Sequence, residues 1–143
     1  MKVSNRLFNS PFEMMLRVLL LLSQDKKNYY SVDKIVLLDF VSCYAADFQL
    51  PYSNLHGTNY YKFGEIASRR QLVQEAVKFL VTKGLIEVKV DKGYLFCISD
   101  SGLVYAKKFE SSYATEYKSI SKAAIKKFRK ESDENILNLV RSS

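Results

Sequence analysis

The stretch from Ile66 to Ser99, IASRRQLVQEAVKFLVTKGLIEVKVDKGYLFCIS, constrains the fold more than any other part of the chain. Apolar residues at Ile66, Leu72, Val73, Ala76, Phe79 and Leu80 recur at the helical period and predict an amphipathic helix. Gly84 stops it, because glycine takes the left-handed conformation that closes a helix. Two short runs rich in β-branched and aromatic residues follow, Leu85–Val90 and Gly93–Ser99, joined by the tight turn Asp91-Lys92-Gly93. An isolated hairpin is marginal, so this one must lean on helices. A helix, a glycine stop and a small hairpin predict the second half of a winged helix-turn-helix.

The flanking segments supply those helices. Ser10-Pro11-Phe12-Glu13 opens the first, with Ser10 as N-cap, Pro11 in the first turn and Glu13 complementing the dipole. It runs to about Ser23 and is apolar nearly all round, on more sides than a small domain is expected to cover, so its own domain or a partner must bury it. At nine residues, Met14–Leu22 is too short to span a bilayer and Arg17 interrupts it. It also lacks the small-residue cleavage site of a signal peptide. A second helix is predicted from Ser31 to about Phe48, with Ile35, Val36, Leu38, Val41, Ala45 and Phe48 over most of its surface. Asp39 lies inside it and needs a cationic partner, for which Arg17 and Arg69 are the candidates.

The irregular stretch Gln49–Glu65 carries Pro51, Gly57, Gly64 and His56 among several tyrosines. Loops of this length inside a compact domain tend to be functional or mobile. Ser99-Asp100-Ser101 caps a helical region running from about Gly102 to Lys130, with a break near Ser111-Ser112. Its second part sets Tyr113, Tyr117, Ile120, Ala124 and Phe128 on one face and Lys118, Lys122, Lys126, Arg129 and Lys130 on the other. A short last helix spans Asn135–Arg141. The resulting division is a flexible terminus over 1–10, a winged-helix domain over 11–110 and a helical C-terminal extension over 111–143, an α+β fold that is mostly α.

The site chemistry argues against an enzyme. His56 is the only histidine, no Gly-rich loop follows a strand, and no Cys/His cluster has zinc spacing. No cofactor or metal is expected. Cys43 and Cys97 read as buried thiols of a reducing cytosol. The formal net charge of +7 suits an anionic partner. Arg70, Gln71, Gln74 and Lys78 share the polar side of the third helix, where a recognition helix presents base-reading groups, although Glu75 among them repels phosphate. Arg69 falls toward the apolar side and is expected in a structural ion pair. Lys118, Lys122, Lys126, Arg129 and Lys130 form the stronger candidate for sequence-independent phosphate contact, with Arg70 and Lys78 beside them. Tyrosine anchors are common in interface cores, so Tyr52, Tyr60, Tyr61 and Phe63 are candidate partner contacts.

Three segments in order, SPFEMMLRVLLLLS, VDKIVLLDFVSCYAADF and EIASRRQLVQEAVKFLVTKGLIE, resemble the small middle component of bacterial ABC-three-component systems, of which Lamassu-type anti-phage systems are the best known. The likeness rests on Ser-Pro-Phe-Glu, on Arg69-Arg70 with Leu72, and on Gly84-Leu85-Ile86, and it covers about Ser10 to Phe109. Family members often have proline after the loop Leu-His, where this chain has Gly57. The resemblance implies a non-enzymatic subunit that joins an SMC-like ATPase to a nuclease-type effector in the cytoplasm, with non-specific DNA as a further partner and no membrane. The alternative is a winged-helix transcription regulator acting as a homodimer.

Overall fold

The computed structural model describes residues 10–55 and 62–142. Six α-helices and one hairpin follow in order: α1 (Pro11–Ser23), α2 (Val32–Cys43), a 3-10 turn (Ala45–Phe48), α3 (Lys62–Thr82), β1 (Ile86–Val90), β2 (Tyr94–Ile98), α4 (Asp100–Ala106), α5 (Ser112–Phe128) and α6 (Asp133–Ser142). The caps explain several starts. Ser10, Ser31, Ser99 and Ser111 each stand just before a helix, and each hydroxyl accepts from the backbone N–H three residues on. The α2 segment stops at Cys43, short of the expected Phe48, and tightens into the 3-10 turn. Gln49 then takes the left-handed conformation at φ 60°. Gly84 ends α3 region with φ 74°, as its place in the sequence predicts.

Helices α1 and α2 are the middle of the molecule. Helix α3 packs across both, α5 packs across both from elsewhere, and α4 and α6 close the ends against α1 and α2 respectively. This arrangement accounts for the all-round apolarity of the first two helices. Met14 and Val18 to Leu22 on α1, and Ile35 to Leu38 with Phe40 and Val41 on α2, are all buried by the chain itself. The expectation that α1 exceeds what its own domain can cover therefore holds only at Phe12, which is 66% exposed, and partly at Met15 and Leu16. The helices after residue 110 join the same core: Tyr117, Ile120, Ala124, Phe128, Ile136 and Val140 are buried in it. Lys34 on α2 pairs with Asp133 at 3.1 Å and so holds the start of α6.

The strands pair antiparallel, Ile86 opposite Ile98 through Val90 opposite Tyr94. The turn uses Lys92 at φ 59° and Gly93 at φ 130°. Tyr30, between α1 and α2, exchanges both backbone hydrogen bonds with Phe96 at 2.8 Å, so β2 is flanked on both sides and β1 forms an edge. Gly102 lies against the corner before β1. A Cβ there would stand 2.0 Å from the Leu85 carbonyl oxygen and 2.7 Å from Ile98 Cδ1. Ser99 locks the same corner, donating its hydroxyl to the Gly84 carbonyl at 2.7 Å and its N–H to the Leu85 carbonyl at 3.1 Å.

Candidate partner-docking surfaces

Four helices meet at Asp39. Its Oδ1 accepts from Arg17 Nε of α1 at 2.9 Å and from the Tyr117 hydroxyl of α5 at 2.6 Å. Its Oδ2 accepts from Arg17 Nη2 at 3.2 Å and from Arg69 Nη1 of α3 at 2.5 Å. Arg69 also pairs with Glu65 one turn back, and Glu65 accepts from the Tyr44 hydroxyl at 2.9 Å. Both arginines named from the sequence thus hold the one carboxylate. Asp39 and Arg17 are wholly buried. Burial alone would raise the Asp39 carboxyl, but the two guanidiniums overcome it and hold the group well below the usual carboxylate range. Burial, and then the Asp39 charge, push the Cys43 thiol up to about 11. Burial and Asp39 likewise raise the Tyr117 phenol. A closed, charge-paired cluster of this kind orients helices; its acid, cations and phenol are spent on one another.

The cations on α5 and just after it divide by what they touch. Lys118 folds back and donates its ammonium to the Phe109 carbonyl at 2.9 Å, bridging α5 to the connection before it. Arg129 Nε lies 3.8 Å from Asp25. Lys122, Lys126 and Lys130 are exposed. Lys127, which the helical wheel did not single out, donates to the Phe48 carbonyl at 3.0 Å. Among the described residues, the basic row without an ion pair is therefore Lys122, Lys126 and Lys130.

On α3, Arg70 pairs with Asp33 of α2 at 2.7 Å, whereas Lys78 is exposed and makes no ion pair among the described residues. Between α3 and the hairpin runs a cleft lined by Val32, Val77, Val81, Val88, Tyr94 and Phe96, with Gln74 and Thr82 as polar members and Lys78 as its one charged member among the described residues. Its floor is largely apolar, and two of the residues on the polar side of α3, Gln74 and Lys78, stand at its rim. Lys89 faces away from it and stands 4.3 Å over the Tyr29 ring. A second apolar hollow lies between α1, α3 and α4, against Phe12, Leu16, Phe79, Tyr105 and Phe109. Neither surface was singled out from the sequence, because alternation in a five-residue strand does not say which face a neighbouring helix leaves open.

The tyrosine-rich loop is only partly within view. Tyr52 is half-buried against the core. Tyr60 and Tyr61, with His56 and Gly57, lie outside the described residues, as does the side chain of Phe63. Among the described residues no group of three or more His, Cys, Asp or Glu is placed to hold a metal ion. No described helix is long and apolar enough to cross a membrane.

Exposed lysines and two largely apolar hollows thus surround a closed, charge-paired helical core. Residues 7–143 match the family described as ABC-three component (ABC-3C) system Middle Component 2. The chain belongs to that family and is, accordingly, an accessory component of a multi-subunit system. No curated protein and no solved structure matches it.

Proposed function

We propose that this chain is a non-enzymatic subunit that joins an SMC-like ATPase to a nuclease-type effector in a cytoplasmic defence complex of the Lamassu kind. Family membership across residues 7–143 is the observation that carries the reading. The element order supports a winged-helix reading of the domain: α1, the Tyr30 bridge, α2, α3, then the hairpin. Lys122, Lys126 and Lys130 are the residues proposed for phosphate contact, because lysine ammoniums suit phosphates and do not read bases. Pairing of Arg70 with Asp33 engages one of the candidate base-reading groups and weighs against the homodimeric regulator.

The test is copurification from cells expressing the intact three-component operon. A tag on this chain should retain both other components in fixed ratio, and the chain alone should neither hydrolyse ATP nor cut DNA. Recovery of the chain alone, as a homodimer with tight affinity for one operator, would refute the proposal and favour the regulator.

A further inference from the structure

The hydrogen-bond register assigns a direction to every backbone group of β1. Ser99 N–H donates to the Leu85 carbonyl at 3.1 Å and Asp91 N–H to the Gly93 carbonyl at 2.8 Å, so residues 85 and 91 point their backbone groups toward β2. In an antiparallel pair that property alternates, so Glu87 and Lys89 point inward as well. Phe96 confirms the phase, because its own N–H and carbonyl turn the other way, to Tyr30. The N–H and carbonyl groups of Val88 and Val90 therefore point out of the sheet. No described residue bonds to them, and the two residues are 42% and 74% exposed.

The side chains beside that edge are apolar on one face. Val88 and Val90 share a face with Phe96 and Tyr94, their cross-strand partners, and Val88, Tyr94 and Phe96 line the cleft against Val77 and Val81 of α3. An exposed edge is ordinarily blunted by charge or proline. Here the charged residues of β1, Glu87 and Lys89, alternate onto the opposite face, toward Tyr29. The only charge in the cleft is Lys78, which has no acidic partner among the described residues.

We propose that the outer edge of β1 takes up an extended segment from another component of the same system, as an added strand. Its backbone pairs with Val88 and Val90. Every second side chain, small and apolar, enters the cleft between α3 and the hairpin, and a carboxylate on the segment meets Lys78. Backbone pairing supplies affinity and the cleft supplies selectivity. The proposal rests on the subunit reading above and adds the surface and the mode of contact.

Hydrogen exchange on the free chain and on the complex of three co-expressed components tests it. In the free chain the Glu87 and Lys89 amides should exchange slowly and those of Val88 and Val90 fast. In the complex Val88 and Val90 should slow by about tenfold or more. Val88→Pro removes an outward N–H without breaking a bond within the sheet, at the kind of edge position where proline is tolerated. It should weaken assembly about tenfold, roughly the loss of one hydrogen bond, with the hairpin still folded. Lys78→Glu, which leaves the strand untouched, should weaken assembly too and serves if the proline variant misfolds. Val88 and Val90 amides that stay fast in an assembled complex overturn strand addition and leave the subunit reading intact. Protection that rises with the concentration of the free chain also overturns it, with a second copy as the occupant. Loss of assembly in Lys78→Glu alone, with Val88→Pro folded and binding normally, overturns it in favour of a helix lying in the cleft. If the wild-type chain assembles with no other component, the subunit reading itself has failed.

Discussion

Asp39→Asn perturbs the centre of the fold while changing almost no volume. The aspartate satisfies two guanidiniums and one phenol through four hydrogen bonds of 2.5 to 3.2 Å, in a site closed to water. Asparagine keeps one acceptor oxygen but turns an amide NH2 toward a donor. It also removes the anion that neutralises Arg17, and the Glu13 carboxylate stands 4.0 Å away. Removing one partner of a buried ion pair costs about 3–5 kcal/mol, mostly the penalty of the stranded charge. That is a large part of the about 5–15 kcal/mol that a domain of this kind has in total. Urea unfolding followed by near-UV circular dichroism should show the midpoint falling by about 2 M, for a slope of about 2 kcal/mol per molar. A loss under about 1 kcal/mol would refute the idea that the cluster ties the helices together.

The same reasoning makes an opposite prediction for the cluster as a whole. Replacing Arg17→Met, Asp39→Leu, Arg69→Met, Tyr117→Phe and Glu65→Gln together removes both buried cations along with the carboxylate between them. It should recover most of the lost stability, since buried pairs are often matched by apolar residues of similar volume. If the combined variant is worse than Asp39→Asn, the cluster contributes more than the avoidance of unpaired charge.

Acid should act through the same residue. Because the folded Asp39 carboxyl is held low, its contribution is complete above the ordinary aspartate value of about 3.9 and is lost as pH falls below it, so urea midpoints measured from pH 5 to pH 2 should drop more steeply in wild type than in Asp39→Asn. Gly102→Ala drives a methyl into the Leu85 carbonyl and should cost about 1–3 kcal/mol or more in thermal unfolding. Lys122→Glu, Lys126→Glu and Lys130→Glu together should leave stability unchanged and flatten the salt dependence of DNA binding by the assembled complex by about three phosphate contacts, whereas Lys118→Met, losing its bond to the Phe109 carbonyl, should cost about 0.5–1.5 kcal/mol of stability. Cys43, buried and held in its thiol form with its value pushed up to about 11, should react with a thiol reagent in native protein at pH 8 much more slowly than in urea.

What could be read from the sequence follows from the range of the interactions involved. Gly84, the Asp91-Lys92-Gly93 turn and the serine caps act within four residues, and each appears where its local chemistry puts it. Asp39 was legible as a residue needing a cation because ionised groups in apolar helices have few other outcomes. Tyr117 was not legible as its third partner. A tyrosine on an apolar stripe looks like core, and its hydroxyl declares a role only when α5 is laid across α2, 78 residues away in sequence. The row on α5 was legible as periodicity, but the helical wheel cannot show that Lys118 reaches back to the Phe109 carbonyl in the connection before its helix. Nor does periodicity reveal that the chain closes over α1, since that depends on α4 and α5 returning to it.

The placement of charge and apolar surface has a common cause. The chain's most apolar helices are consecutive and short, so they fill the centre and force every later element to lie around them. Asp39 then fixes α1, α3 and α5 to α2 from within, at one point, and leaves their outer faces free to differ. The hairpin comes late in that order and receives the least cover. It is pinned at its base by Ser99 against Gly84 and Leu85, and on one side by Tyr30, and nothing described reaches its other side. A solvated strand would serve as well with threonine or lysine at Val88 and Val90, and neither valine adds to the core at the exposure it has. Their presence on an unpaired edge, beside a cleft floored by Val77 and Val81, is the feature that the proposed strand addition would use.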